Sequence, residues 1–158
     1  MDSTAPYYEI ERLEALHALQ ILDTPPEERF DRLVRIARDA LDIPIVLIAL
    51  IDAERYQAKA CLGLDAREGP REHTFCDWVI RHDTDLVVRN TLNDPAFATL
   101  PAVTQEDVRF YAGVPLHAGQ QRLPVGTLCV MDTEPRTLSP TQLSLLKELA
   151  DVVEQQME

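Results

Sequence analysis

Phe110-Tyr111-Ala112-Gly113-Val114-Pro115-Leu116 and Val125-Gly126-Thr127-Leu128-Cys129-Val130-Met131 are two apolar segments of strand length. The stretch between them, His117 to Pro124, is polar and carries Gly119 and Pro124. Such a pair reads as an antiparallel hairpin. Upstream, Ile45 to Ile51 is a continuous aliphatic run ended by Asp52, the pattern of a central strand buried on both faces. Tyr56 to Ala60 reads as its shorter partner, with Asp52 to Arg55 as the turn, and Leu86 to Arg89 supplies a third strand candidate. Hairpins at both ends of the series predict a mainly antiparallel sheet with helices packed on its faces. A doubly wound parallel sheet is disfavoured, because no Gly-rich turn follows Ile51.

The helices flank these strands. Glu9 to Leu22 is helical in pattern but apolar on several sides, so it is expected to touch more than one neighbour. Thr24, Pro25 and Glu27 together read as the cap, first residue and capping-box acid of a second helix. That helix places Phe30, Leu33, Val34, Ala37, Ala40 and Leu41 on one stripe. Leu62 to Glu72, with Gly63, Gly69 and Pro70, reads as loop, and Thr74 to Arg81 as a short helix capped by Thr74. Asp94-Pro95 starts a turn of helix through Phe97, and Leu100 to Glu106 reads as irregular. Ser139-Pro140-Thr141-Gln142 opens a last helix running towards Met157 with a capping box.

The chain of 158 residues suits one domain with one core. Its 27 acidic residues outnumber the 15 basic ones, which repels phosphate backbones and anionic lipid and argues against nucleic-acid and membrane partners. No signal-peptide stretch opens the sequence, and the longest apolar run, Ile43 to Ile51, is too short to span a bilayer. A cytoplasmic location is the expectation by elimination. Three cysteines, an odd number, fit a reducing compartment rather than a disulfide framework.

Cys129 lies inside a strand and reads as a small hydrophobe. Cys76 lies near a helix start, where the dipole favours thiolate, though packing beside Phe75 explains it as well. Cys61 has no base beside it in sequence. His73 and Cys76 alone do not make a zinc site, so neither a metal nor any other cofactor is expected. No nucleophile elbow, P-loop or His-Glu-x-x-His occurs, and no catalytic residue is assigned. By alternation Arg109 and Tyr111 share a sheet face opposite Phe110. With Trp78 and Phe97 they can line a concave site, or they can form an aromatic cluster closing the core, with Arg109 paired to an acidic neighbour.

Several blocks together resemble the GAF domains of bacterial signalling proteins. They are Asp23-Thr24-Pro25-Pro26-Glu27-Glu28-Arg29-Phe30-Asp31, Phe75-Cys76, Asn93-Asp94-Pro95-Ala96-Phe97, and Arg109 through Leu116. Gly126-Thr127-Leu128-Cys129-Val130-Met131-Asp132, Pro135-Arg136 and Leu138-Ser139 continue the resemblance in family order. It implies an α+β fold with a central antiparallel sheet of five or six strands. Terminal helices are expected on one face, and short helices and loops forming a ligand pocket on the other. Relatives of this type stand before diguanylate cyclase or histidine kinase domains, so residues 1–158 are expected to be a single domain, free-standing or part of a longer signalling protein. Two departures stand out. Tyr56-Gln57-Ala58-Lys59-Ala60 replaces a Trp-Phe-Lys-Ala strand, and Trp78 stands where many relatives have histidine.

Three functions follow as expectations: a non-catalytic sensor of a small molecule, a dimerisation and relay scaffold without ligand, and a free methionine sulfoxide reductase. The first predicts a pocket lined by some of Phe75, Cys76, Trp78, Phe97, Arg109, Tyr111 and Thr127; close packing of Trp78 on Phe97 without a void would favour the second. The third is disfavoured, because it needs a resolving thiol within reach of an attacking one and the cysteine spacing does not match that activity. A homodimer is expected from the terminal helices, 1–22 and 140–158. Leu143, Leu146, Ala150, Val153 and Met157 form one stripe on the last helix, and Leu145, Leu149 and Val152 a second, with the first helix as its expected neighbour.

Overall fold

A computed structural model describes residues 5–158, with side chains from residue 8 onward; residues 1–4 of the expected N-terminal helical region lie outside the described residues. Six strands form one antiparallel sheet in the order β3-β2-β1-β6-β5-β4. They are β1 (Ile45–Ile51), β2 (Arg55–Leu62), β3 (Glu68–Pro70), β4 (Leu86–Val88), β5 (Phe110–Ala118) and β6 (Leu123–Asp132). The two hairpins read from sequence flank the centre, where β1 pairs with β6 from Ile45↔Met131 to Leu50↔Gly126.

Alternation along the strands divides the core into two layers. Val46, Ile48 and Leu50 of β1, with Phe110, Ala112, Val114 and Leu116 of β5, face helices α1 (Ala5–Ala18), α2 (Glu28–Leu41) and α5 (Pro140–Met157). Ile45 and Leu47, with Tyr111, Cys129 and Met131, face α3 (Phe75–His82), the short α4 (Pro101–Thr104) and their loops. All seven residues of β1 are buried, which is why its sequence is unbroken aliphatic. Helix α2 turns Phe30, Leu33, Val34, Ala37 and Leu41 inward, as its stripe predicted. Each of these side chains other than that of Ala37 contributes about 1.5–3 kcal/mol when fully buried.

Several local expectations are corrected. Helix α1 ends at Ala18, four residues before Leu22, because Gln20 and Asp23 adopt left-handed backbone at φ 58° and 59°. Thr24 does not cap α2. Consecutive prolines at 25 and 26 hold the residues before them extended, and the helix begins at Glu28 behind an uncapped Glu27. The Thr24 hydroxyl instead donates to the Ile21 carbonyl at 2.6 Å and accepts from Lys59 Nζ. Lys59, itself buried, also donates to Pro25 O and pairs with Glu27, both at 2.8 Å. The segment read as loop from Leu62 contains the edge strand β3, paired with β2 from Arg55↔Pro70 to Gln57↔Glu68. Pro70, lacking an N–H, suits a sheet edge. The irregular stretch from Leu100 contains α4, pinned by buried Val103. Ser139 caps α5 with the expected box, accepting from Gln142 N at 3.1 Å while Gln142 Oε1 accepts from Ser139 N at 2.8 Å.

Within the chain the alternative, in which α1 covers the second stripe of α5, is not what the contacts show. Helix α5 packs beside α2, while α1 lies on β6. In the second stripe of α5, Leu149 is therefore buried within the chain, Leu145 is half-buried, and Val152 is exposed.

Candidate functional site

Helix α3 builds the loop-face site. Thr74 starts it by accepting from Asp77 N at 3.1 Å while donating to Arg71 O at 2.7 Å. This capping sends Phe75 and Cys76 down onto the sheet. The Phe75 ring stacks on Tyr111 at 4.4 Å between centroids and meets Phe97 at 5.4 Å. Trp78 meets Phe97 edge-to-face at 6.1 Å and stacks on exposed His82 at 4.0 Å. Phe75, Phe97, Tyr111 and Thr127 are buried, whereas Trp78 and Cys76 are partly buried. The indole therefore covers the cluster from outside.

Six of the seven residues expected here meet. Arg109 does not join them. Its guanidinium turns along the loop before β5, donating to Val103 O at 3.0 Å and Val108 O at 3.2 Å, with Asp107 3.5 Å away. This matches the alternative of an arginine paired to an acidic neighbour beside a closed aromatic cluster.

A polar knot lies under the rings. Thr127 and Cys129 project from the same face of β6, since strand side chains alternate. Thr127 Oγ1 donates to Cys76 Sγ at 3.2 Å, and Tyr111 OH lies 3.6 Å from the same sulfur. Cys129 belongs to the buried cluster against which Cys76 packs. Gly113, opposite Cys129 on β5, makes this possible: a Cβ there would stand 2.2 Å from the Tyr111 hydroxyl. The nearby Cys129 thiol, then the hydrogen bonds of Thr127 and Tyr111, hold the Cys76 thiol below its usual range against the opposing effect of burial. Cys129 is pushed up by the nearby Cys76 thiol and by burial, and Tyr111 by burial first. Cys129 is buried inside its strand, as expected, and Cys76 packs against the same cluster from α3, a proximity that their distance in sequence does not show.

A second polar assembly sits at the end of the sheet. Glu9 accepts from Arg12 Nε and Nη2, both at 2.9 Å, and from both terminal nitrogens of Arg71. Arg12 and Arg71 are buried, and Arg71 Nε also donates to Asp77 at 2.7 Å. Burial raises the Glu9 pKa, but the two guanidiniums outweigh it and hold the carboxyl at about 2. Beside them lies a cavity of about 570 Å³, whose walls include Arg12, Arg71, Arg81, Asp83 and Arg122. None of the residues expected to bind ligand lines it, nor do they line a smaller hollow of about 110 Å³ beside Lys59. Near the cavity His117 joins two layers. Its Nε2 lies 2.6 Å from Asp83 at the end of α3, and Glu154 of α5 accepts from its backbone N–H at 2.6 Å. The Glu9–Arg12 spacing is visible in sequence as a helical pair, but Arg71 gave no such signal, being 62 residues from Glu9.

Comparison with known proteins agrees with this architecture. The GAF domain pattern matches residues 25–157. The chain belongs to the GAF domain family. This GAF domain is 36% identical over 155 residues to a cyclic di-GMP phosphodiesterase of Pseudomonas aeruginosa strain PAO1, covering 96% of the chain and 26% of that relative. The chain thus spans about a quarter of the relative's length. Two solved structures share the fold with TM-scores of 0.67. One is the GAF domain of an Acinetobacter phosphoenolpyruvate-protein phosphotransferase, at 20% identity over 99% of this chain and 94% of that one. The other is a free methionine-R-sulfoxide reductase from Neisseria meningitidis in complex with its substrate, at 17% identity over 99% and 92%. Among the described residues no helix is long and apolar enough to cross a membrane.

Proposed function

We propose that this GAF domain is a non-catalytic sensory module of a cyclic di-GMP signalling protein, taking in a small-molecule signal at the α3 cluster and passing it on through α5. The observation that carries this reading is the 36% identity to one quarter of a cyclic di-GMP phosphodiesterase. The entry point is the set Phe75, Cys76, Trp78, Phe97, Tyr111 and Thr127, where rings cover a buried polar knot and a ligand must displace an aromatic side chain to enter. Trp78 is the chain's one tryptophan, so its emission reports on that movement. Low-molecular-mass extract from bacterial cells is expected to shift the emission, and dialysis to reverse it. Neither cyclic di-GMP nor free methionine sulfoxide is expected to be turned over by the isolated domain; turnover of either overturns the reading.

The contact of Trp78 with Phe97 favours a second reading, a dimerisation and relay scaffold without ligand. Unchanged emission in the same titration supports it. Both readings place a homodimer on the helix layer, where Val152 of α5 and Ile36 of α2 are exposed. A dimer at micromolar concentration that Leu145→Glu/Val152→Glu dissociates is the expected result. A monomeric parent, or a variant that stays dimeric, removes the interface from α5.

A further inference from the structure

The GAF fold explains why Cys129 is buried, but not why a second thiol packs against its cluster from another layer. Cys76 comes from α3 and Cys129 from the middle of β6. Cys76 Sγ contacts Thr127 Oγ1 at 3.2 Å, and Thr127 is the same-face neighbour of Cys129, two residues along the strand. Helix α3 packs on β6, Cys76 lies against the buried cluster that contains Cys129, and both thiols are free. Their environments differ. Cys76 is partly exposed, whereas Cys129 is fully buried.

We propose that Cys76 and Cys129 form a peroxide-oxidised dithiol, with Cys76 as the sulfur attacked by oxidant and Cys129 as the resolving thiol. The Cys76 thiolate attacks the distal oxygen of a hydroperoxide; the O–O bond breaks, alkoxide or hydroxide leaves and takes up a proton, and Cys76 becomes a sulfenic acid. Cys129 then attacks that sulfur. The S–S bond forms, the S–OH bond breaks, and the Cys129 proton leaves with the hydroxide as water. Two thiols are oxidised by two electrons and one peroxide is reduced.

The roles follow from the surroundings. Thr127 and Tyr111 offer Cys76 Sγ two hydrogen bonds, which favour thiolate and so the first step. Cys129 is shielded from solvent and so does not meet the oxidant first; it attacks only once Cys76 carries the sulfenic acid, giving its proton to the departing hydroxide. Cys61 has a different partner, the Leu64 carbonyl at 3.7 Å, and is left out of the pair. The proposal goes beyond small-molecule sensing, because a domain that binds nothing would still form this bond.

The test is intact and peptide mass spectrometry of the purified chain after micromolar hydrogen peroxide. A loss of two hydrogens, reversed by dithiothreitol, with a cross-linked peptide joining Cys76 to Cys129, is expected. Cys129→Ser should instead trap the Cys76 sulfenic acid as its dimedone adduct. Thr127→Val, which keeps the side-chain shape, should slow oxidation of Cys76 about threefold or more at neutral pH. The unmodified chain alone suffices to overturn the proposal: absence of the disulfide, or a bond through Cys61, sinks it. A normal oxidation rate in folded Thr127→Val overturns the assignment of Cys76 as the activated thiol.

Discussion

Replacing Glu9 with glutamine should cost this domain about 3 kcal/mol at neutral pH, and the cost should shrink in acid. The carboxylate accepts four hydrogen bonds from two buried arginines. Glutamine offers one acceptor oxygen and no charge, so both guanidiniums lose their shared counter-ion. Breaking a buried ion pair from one side costs about 3–5 kcal/mol. Here Arg71 keeps Asp77 and Arg12 keeps the Ile51 carbonyl, which places the value at the lower end. Ionisation gives a second route to the figure. A carboxyl held at about 2 instead of its ordinary 4.5 stabilises the fold by about 3 kcal/mol, at about 1.4 kcal/mol per tenfold in the ionisation constant. Because Glu9 keeps a quarter of its exposure, at 26%, this is an upper value. The sign is that of a depressed carboxyl. Its contribution is complete above pH 4.5, falls to about half by pH 3, and is lost as the pH passes through about 2. Urea unfolding of the parent and Glu9→Gln at pH 7, 5, 4 and 3 measures it. A difference below about 1 kcal/mol at pH 7, or one that stays constant down to pH 3, refutes the reasoning.

Three further outcomes are expected. Gly113→Ala drives a methyl into the Tyr111 hydroxyl and should cost about 1–3 kcal/mol, read by thermal unfolding, together with altered near-ultraviolet dichroism from the displaced ring. Phe97→Ala removes the ring between Phe75 and Trp78; a loss of about 3–5 kcal/mol, partly recovered by added indole filling the void, is the expected denaturation result. Lys59→Met removes the buried ammonium that holds Thr24, Pro25 and Glu27, with an expected loss of about 2–3 kcal/mol and faster proteolysis between residues 23 and 27.

What could be read from the sequence was what neighbouring residues decide. The Ser139 capping box, the aliphatic β1 and the stripe of α2 each depend on residues a turn or a strand apart, and the structure has them as expected. Thr24 carried the same local signal as Ser139, yet a lysine 35 residues away took its hydroxyl. Strand β3 was hidden because Glu68-Gly69-Pro70 has turn composition and owes its form to pairing with β2. At the site, the proximity of six of the seven residues was legible because aromatic and polar side chains interrupt apolar elements there. Whether those rings enclose a space or fill it depends on side-chain packing, which residue types do not encode. Arg109 was misplaced for a related reason: strict alternation assumes a strand, and β5 begins one residue later.

His117 has a mechanical consequence. It grips Asp83 at one end of α3, while Phe75 anchors the other end in the aromatic stack. At about 1.5 Å per residue, the helix is a lever about 10 Å long. A tilt of about 5° around the Phe75 fulcrum would carry Asp83 through about 1 Å, more than a hydrogen bond tolerates. The imidazole must then either release the helix or be dragged along, and Glu154 is bound to the same residue from the other side of the sheet. Small rotations beneath the rings are thus geared to the last turns of α5 by one side chain at the rim, without any strand of the sheet having to bend.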